Sequence, residues 1–320
     1  TVSRAINNSP LVNERTRQRI MGVVEELDYA PNLIARRLSI GKTLAIAVIV
    51  PFFTRPSVSE RLNGAVSSLS QTQYDLVIHD IETVDQRQAG FEDVLRKERV
   101  DGALVISLPI LDKEVPLFAR TDLPIVLIDT DHPELTMLHR LTVDDVAGGQ
   151  MATEHLVKLG HARIGFIGDF VENPFHFISS RDRYYGYLRA LREAGIPFRS
   201  EYYAEDQHGR REARHQARKM LSLPEPPTAI FAASDTQAIG VLEAAHEMAL
   251  RVPEDLSVVG YHDIEMADIL QLTTVRQLLF ESGQRGVELL LEALESPSME
   301  AVHEVLPTEL IVRSTTASPP

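Results

Sequence analysis

TAIFAASDTQAIGVLEAAHEMALRVPEDLSVVGY occupies residues 228–261, and its rhythm decides the fold. The run TAIFAA (228–233) is apolar or small throughout, helical spacing follows over 235–250, and LSVVGY (256–261) closes the unit. Apolar runs that do not alternate with polar residues are strands covered on both faces. A helix between two of them makes the strands parallel.

Working outward, the same unit recurs. LAIAVIV (44–50), YDLVIH (74–79), GALVIS (102–107) and PIVLID (124–129) are short apolar runs, separated by helical spacing at roughly 58–71, 84–98 and 112–121. After a helix at 146–159 the cycle restarts with RIGFIG (163–168) and helices near 182–195 and 209–222. Two consecutive α/β sets of similar size predict two lobes, each a doubly wound parallel sheet. No close internal repeat is visible, which excludes a solenoid. Before Gly41 the pattern is only helical. Ile20, Val24 and Leu27 fall at i, i+4 and i+7 of a helix over 14–28, with Asn13 as N-cap and Asp28-Tyr29-Ala30-Pro31 as its end. A second short helix fits 32–39.

The bulk composition agrees with two lobes. The chain has 320 residues, 44% apolar and 24% charged, as in ordinary globular proteins. It has no run of about 18 apolar residues that could span a membrane. It contains no cysteine, which fits a reducing compartment and excludes disulfides. The net charge of −14 is unevenly placed: residues 1–43 carry seven Arg and Lys against four Asp and Glu, leaving the rest at −17. A basic head on an acidic body is expected where one end meets a polyanion.

Two open parallel sheets side by side predict a ligand cleft beyond the carboxyl ends of their strands. That rule selects Phe52 to Ser57, Asp80, Ser107 and Asp129 in the first lobe. In the second it selects Asp169 onward, Ser234-Asp235 and His262-Asp263. Enzyme signatures are missing. No GxGxxG or GxxxxGK[ST] loop occurs, and GFIGDF (165–170) lacks the third glycine. The spacings of His155 to His161 and His208 to His215 do not make a metal clamp. His161 follows Gly160 and is expected to meet the dipole of the preceding helix. The acidic pair Asp144-Asp145 fits acid/base machinery in type, yet Asp at a helix start is what capping alone requires.

The segment TVSRAINNSPLVNERTRQRIMGVVEELDYAPNLIARRLSIGKT (1–43) resembles the DNA-binding head of LacI-family transcriptional regulators. DDVAGGQMATEHLVKLGHARIGFIGD (144–169), RDRYYGYLRALREAGI (181–196), residues 228–277 and LPTELIVRSTT (306–316) resemble the body of the same family. The resemblance implies a truncated helix-turn-helix head over 1–30 and a hinge helix and linker over 31–43. It implies an N-terminal lobe from 44–160 with 277–304, and a C-terminal lobe from 161–276 with 305–316. The body would be two-lobed and periplasmic-binding-protein-like, with crossovers near 160, 276 and 304.

On that resemblance Thr1, Ser3, Arg4 and Asn7 belong to a recognition helix entered part-way, with Arg4 matching a base-reading position. Asn32, Arg36, Arg37 and Leu38 would complete the DNA-binding set. There Leu38 wedges into the minor groove while the arginines follow phosphates. A chain starting inside its recognition helix is expected to sense its effector and to bind operator poorly. The effector would contact Phe52, Phe53, Arg55, Ser57, Asp80, Ser107, Asp129, Arg183, Ser234, Asp235 and His262. Arg183, from the R-x-x-G-[YF] motif, would hold it by hydrogen bonds or charge.

Two departures from the family pattern concern the ligand. Ser234-Asp235 and His262-Asp263 stand where many members have Asn-Asp and Asp-Asp, and Arg55-Pro56-Ser57-Val58 replaces NPFF. A less acidic pocket favours a phosphorylated or acidic sugar over a neutral one. VENPFHFISS (171–180) is either a lid or a surface loop burying its own phenylalanines. The expected protein is a cytoplasmic, effector-controlled repressor on a palindromic operator. It would act as a homodimer, since STTASPP carries no heptads for a tetramer. No cofactor, metal or catalytic residue is expected. The alternative is a periplasmic-type sugar-binding transport receptor with the same body.

Overall fold

A computed structural model of the chain describes residues 2, 5, 10–27, 41–96 and 99–320. The expected DNA contacts Thr1, Ser3, Arg4, Asn7, Asn32, Arg36, Arg37 and Leu38, and the hinge helix at 32–39, lie outside the described residues. The chain divides into two compact units, Thr1–Leu44 and Ala45–Pro320. In the first, helix α1 (Glu14–Glu26) starts at Asn13, whose side chain accepts a hydrogen bond from Thr16 N at 2.9 Å. That is the capping role the sequence predicts. No described helix is long and apolar enough to cross a membrane.

The second unit begins with β1 (Ala45–Val50), α2 (Pro56–Leu69), β2 (Asp75–Asp80), α3 (Val84–Val94), β3 (Gly102–Ile106), α4 (Val115–Arg120), β4 (Ile125–Ile128) and β5 (His139–Val143). It continues with α5 (Asp145–Lys158), β6 (Ile164–Asp169), α6 (Ser179–Glu193), β7 (Tyr203–Asp206), α7 (Arg210–Leu221), β8 (Ala229–Ala232), α8 (Asp235–Glu247) and β9 (Ser257–His262). The last elements are α9 (Glu265–Ile269), β10 (Thr273–Gln277), α10 (Leu279–Glu295), β11 (His303–Leu306) and β12 (Thr308–Ile311). Two sheets result, ordered β11-β5-β4-β3-β1-β2 and β12-β10-β9-β8-β6-β7. All neighbours are parallel except β12 against β10.

The central strands of each sheet are covered on both faces, as their apolar runs require, but β2 departs from this expectation, with Val77 and Ile78 exposed. In β1, Ala45, Ala47 and Ile49 enter one core cluster with Phe91 and Phe118, while Ile46, Val48 and Val50 enter another with Leu62 and Leu290. This is the period of two of a strand buried on both sides. The second sheet repeats the plan, with Phe166, Tyr187 and Tyr261 on one face and Ile230, Val258 and Leu272 on the other.

The chain passes between lobes three times, and the first passage departs from expectation. Helix α5 was expected in the N-terminal lobe, with the crossing near 160. Instead it buries Ala152 and Leu156 in the second lobe's core beside Phe166 and Val259, so the crossing lies between Val143 and Asp145. Glycines permit this. A Cβ at Gly149 would stand 2.2 Å from Arg183 O, and one at Gly186 would stand 2.2 Å from Val146 O. Two small residues thus let α5 and α6 touch backbone to backbone, which ties α5 to the second lobe. The other crossings fall between Gln277 and Leu279 and at Pro307.

Candidate ligand cleft

In both sheets the strand order reverses beside the first strand, at β1 and at β6, where ligand crevices form. The backbone marks the same edges. Phe52, Ser107, Asp129, His262 and Asp263 all have positive φ, from 50° to 112°, although none is glycine. Each follows or ends a strand. Left-handed non-glycine residues cost on the order of 1–3 kcal/mol apiece and gather at functional sites.

A polar chain crosses between the lobes at these edges. Arg61, on α2, is 2% exposed, donates from Nη2 to Gln277 Oε1 at 3.1 Å, and lies 3.1 Å from Asp129 Oδ2. Asp129 also accepts from Ser107 Oγ at 2.7 Å. Gln277 passes the chain onward, donating from Nε2 to Asp145 Oδ1 at 3.2 Å. Asp145 in turn receives Arg183 Nε at 2.9 Å. Arg183 is fixed twice more, by Nη1 donating to Ala233 O at 2.7 Å and by its guanidinium lying 3.8 Å from the Tyr261 ring centre. Its Nη2 makes no hydrogen bond among the described residues.

A second group surrounds Asp169, at the end of β6. Gln237 Nε2 donates to its Oδ1 at 2.8 Å, and His208 Nδ1 lies 3.1 Å from the same oxygen. Across the cleft the Arg55 guanidinium sits 4.2 Å from the Phe52 ring centre and 5.6 Å from that of Phe177. Burial lowers the Arg55 pKa, and Asp169 offsets only part of that. Burial would raise the Asp169 carboxyl, but His208, Arg55 and Arg183 outweigh it and hold the pKa below the usual range. Burial, followed by the charges of Arg183 and Arg61, pushes the His262 imidazole well below its ordinary value. At neutral pH the cleft therefore presents cationic arginines, an ionised Asp169 and a neutral His262.

The residues selected from sequence divide into two sets. Phe52, Arg55, Ser107, Asp129, Arg183 and His262 are brought together, and the Ser57 carbonyl lies 3.5 Å from Arg61 Nη1. Of the other four, Ser234, Asp80 and Asp235 serve the scaffold. Ser234 caps α8 through Gln237 N, and Asp80 accepts from Phe53 N at 3.0 Å while the Phe53 ring is 43% exposed. Asp235 is fully buried. Thr274 Oγ1 donates to its Oδ1 at 2.6 Å and Ile264 N to its Oδ2 at 2.9 Å, so it braces the turn that carries His262.

Sequence reasoning missed Arg61, Asp145, His208 and Gln277. Arg61 had a signal, because it sits on the helix face of Val58, Leu62 and Ala65, where a charge needs a buried partner. Asp144 does cap α5, accepting from Ala147 N at 2.8 Å, but Asp145 is the partner of Arg183 and not a second cap. His161 serves the scaffold in another way than expected. It is 2% exposed between Thr228 Oγ1, Ser257 Oγ and Ala317 O, and fastens the C-terminal tail to the sheet. No group of three His, Asp or Glu that could hold a metal occurs among the described residues.

Residues 1–32 match the family described as bacterial regulatory proteins, lacI family, and residues 153–316 match the periplasmic binding protein-like domain. The HTH-type transcriptional repressor PurR of Vibrio vulnificus (strain CMCP6) is 32% identical over 319 residues, covering 98% of this chain and 94% of that protein. The chain belongs to the lacI family of bacterial regulatory proteins. Among solved structures, the lac repressor dimer bound to operator and the anti-inducer ONPF aligns with a TM-score of 0.85 at 27% identity, over 99% and 94% of the two chains. A LacI family regulator from Enterococcus faecium with bound ribose aligns at 0.75 and 26% identity, over 86% of this chain and 99% of the other. As a lacI-family member, the protein is a DNA-binding transcriptional regulator with a two-lobed, periplasmic-binding-protein-like body.

Proposed function

We propose that the protein represses transcription by binding a palindromic operator as a homodimer in the cytoplasm. A small polyhydroxylated molecule carrying an acidic group, seated between the lobes, sets its affinity for DNA. The observation that carries the ligand class is Arg55. Its guanidinium is held against Phe52, 4.2 Å away, and makes no hydrogen bond among the described residues. A cation placed this way has its donors to give, and phosphate and carboxylate match their geometry. Arg183, with Nη2 unused, and the neutral imidazole of His262 offer further polar contacts for hydroxyls. Phe52 supplies an apolar wall for a ring.

The regulatory reading follows from two lobes joined by three crossings. A ligand that binds one lobe arrangement better shifts the population toward it and alters the spacing of paired heads. The transport-receptor alternative is disfavoured by residues 1–32, which match a DNA-binding family. Titration calorimetry with glucose 6-phosphate, gluconate, glucose, cellobiose and guanosine tests the ligand class. Tighter binding of the anionic sugars supports it, and preference for glucose or cellobiose overturns it. A gel shift with operator DNA, with and without the binding sugar, tests the regulatory half.

A further inference from the structure

We propose that residues 170–178 form a strap between the lobes. They leave the second lobe at β6, cross the mouth of the cleft and plug Phe175 into the first lobe, so that opening of the lobes requires Phe175 to withdraw. The base of the segment belongs to the second lobe: Phe170 N donates to Asp206 O at 3.0 Å, and Val171 N to Glu205 Oε2 at 2.9 Å. Its tip does not. Phe175 is 8% exposed within the first lobe's core cluster, beside Ile49, Phe91, Leu108 and Ile110. Its ring meets Phe52 edge-on at 5.2 Å and stacks on Phe177 at 5.3 Å with an interplanar angle of 7°.

The first lobe has a buried polar socket for the same residue. Arg87 and Glu114, 1% and 2% exposed, pair through Nε to Oε1 at 2.6 Å and Nη2 to Oε2 at 2.9 Å. Arg87 Nη2 also donates to Pro109 O, and Leu111 N donates to Glu114 Oε2 at 2.9 Å. The remaining arm of Arg87, Nη1, reaches the Phe175 carbonyl at 3.4 Å. Ring and carbonyl of one residue are thus both received by the opposite lobe. The strap holds its own shape through Asn173, which donates to Phe170 O and Phe177 O and accepts from Phe177 N at 2.9 Å. His176 turns the chain with a φ of 59° and is itself exposed, while Phe177 faces Arg55.

The contact bears on regulation because it bridges two bodies whose relative rotation carries the signal. Withdrawing a buried phenylalanine and uncovering the Arg87 donor oppose opening, so the strap biases the lobes toward closure. It also places Phe177 beside the arginine assigned to the ligand, which makes ligand exchange and strap release one event. That last step rests on the ligand class proposed above; the clasp itself does not.

The test therefore uses neither ligand nor DNA. The sequence contains no cysteine, so spin labels at Glu82→Cys and Arg211→Cys, both exposed and one in each lobe, report the inter-lobe distance by pulsed electron resonance. With the native strap a single short distance is expected. In Phe175→Ala a longer population is expected to reach at least half the distribution, and in Asn173→Ala the distribution is expected to broaden. If Phe175→Ala fails to fold, Phe175→Leu and Asn173→Ala carry the test. Folded variants whose distance distribution equals that of the unsubstituted strap would overturn the proposal.

Discussion

Arg61 and Gln277, 216 positions apart in sequence, meet through a hydrogen bond of 3.1 Å at the junction of the two lobes. Gln277 also donates to Asp145, so one neutral amide stands between a cation of the first lobe and a carboxylate of the second. An amide can do both because it carries a donor and an acceptor on one carbon. Replacing Gln277 by Leu leaves both neighbours buried and short of a partner. A destabilisation of about 2–4 kcal/mol is expected from urea unfolding, well above the ordinary cost of a surface change.

Arg183 is expected to matter for stability as well as for binding. Arg183→Met leaves Asp145 buried beside an apolar side chain, a loss of about 3–5 kcal/mol. Arg183→Lys keeps a charge but not the simultaneous reach to Asp145 and Ala233 O, nor the flat stack on Tyr261. Its stability should fall between the other two. Equilibrium denaturation of the three proteins checks the order, and a lysine variant as stable as the parent would contradict it.

The Asp235 carboxyl predicts a pH dependence. Burial raises its pKa from 3.8 to about 7, against the bonds from Thr274 and Ile264 N. A group whose pKa is raised on folding binds more protons folded than unfolded. Its contribution is therefore complete below pH ~4 and is lost as pH rises through about 7, at most about 4 kcal/mol in total. Asp235→Asn removes that titration. The stability advantage of the parent over this variant should be largest near pH 4, shrink as pH rises and level off above pH 7, as read from urea midpoints across the range. A gap independent of pH would show that Asp235 does not titrate there.

The anion recognition proposed for Arg55 predicts a split between charged and neutral ligands. Arg55→Gln keeps a polar side chain against Phe52 but removes the cation. A charge-assisted hydrogen bond contributes about 1.5–3 kcal/mol, so affinity for glucose 6-phosphate should fall about 10- to 100-fold. Affinity for a neutral sugar should hardly change. Calorimetry on both sugars checks this, and parallel losses would remove Arg55 from anion recognition.

His161 predicts the opposite pH behaviour to Asp235. Burial lowers its pKa, partly offset by the bond to Ala317 O. A base whose pKa is depressed on folding contributes stability above its ordinary value of 6.5 and loses it as pH falls through that range. His161→Gln is expected to unfold with a flatter dependence between pH 7 and 5 and to loosen the C-terminal tail. Hydrogen exchange at Thr315 and Thr316 reads the second effect.

Legibility in the sequence followed apolar runs rather than burial alone: β2 was readable although largely exposed, and the buried TTVRQ of β10 was not. Strands such as 45–50 and 125–128 were readable because both faces are covered and every residue is apolar. β5 and β7 were not, since HRLTV and YAED are short and half-polar. In the cleft, strand ends pointed to Asp129 and His262, and a motif pointed to Arg183. The same rules also chose Ser234, Asp80 and Asp235, whose groups are used up within the scaffold. Nothing local distinguishes a carboxylate at the cleft edge from one bracing a turn. The loop at 171–180 was open between a lid and a self-buried surface loop, and Phe175 does neither alone: it is buried, but in the other lobe.

The sequence by itself determined two parallel α/β lobes, the basic head and the family, because periodicity and ordered motifs are properties of neighbouring residues. Only the tertiary structure decided which lobe owns α5, which acids face the cleft, and that Arg61, Gln277, Asp145 and Arg183 form one chain. Those partners lie up to 216 positions apart, and burial turns each unpaired charge among them into a cost of several kcal/mol. Pairing over such distances is set by packing, which brings the groups together only once both sheets are formed.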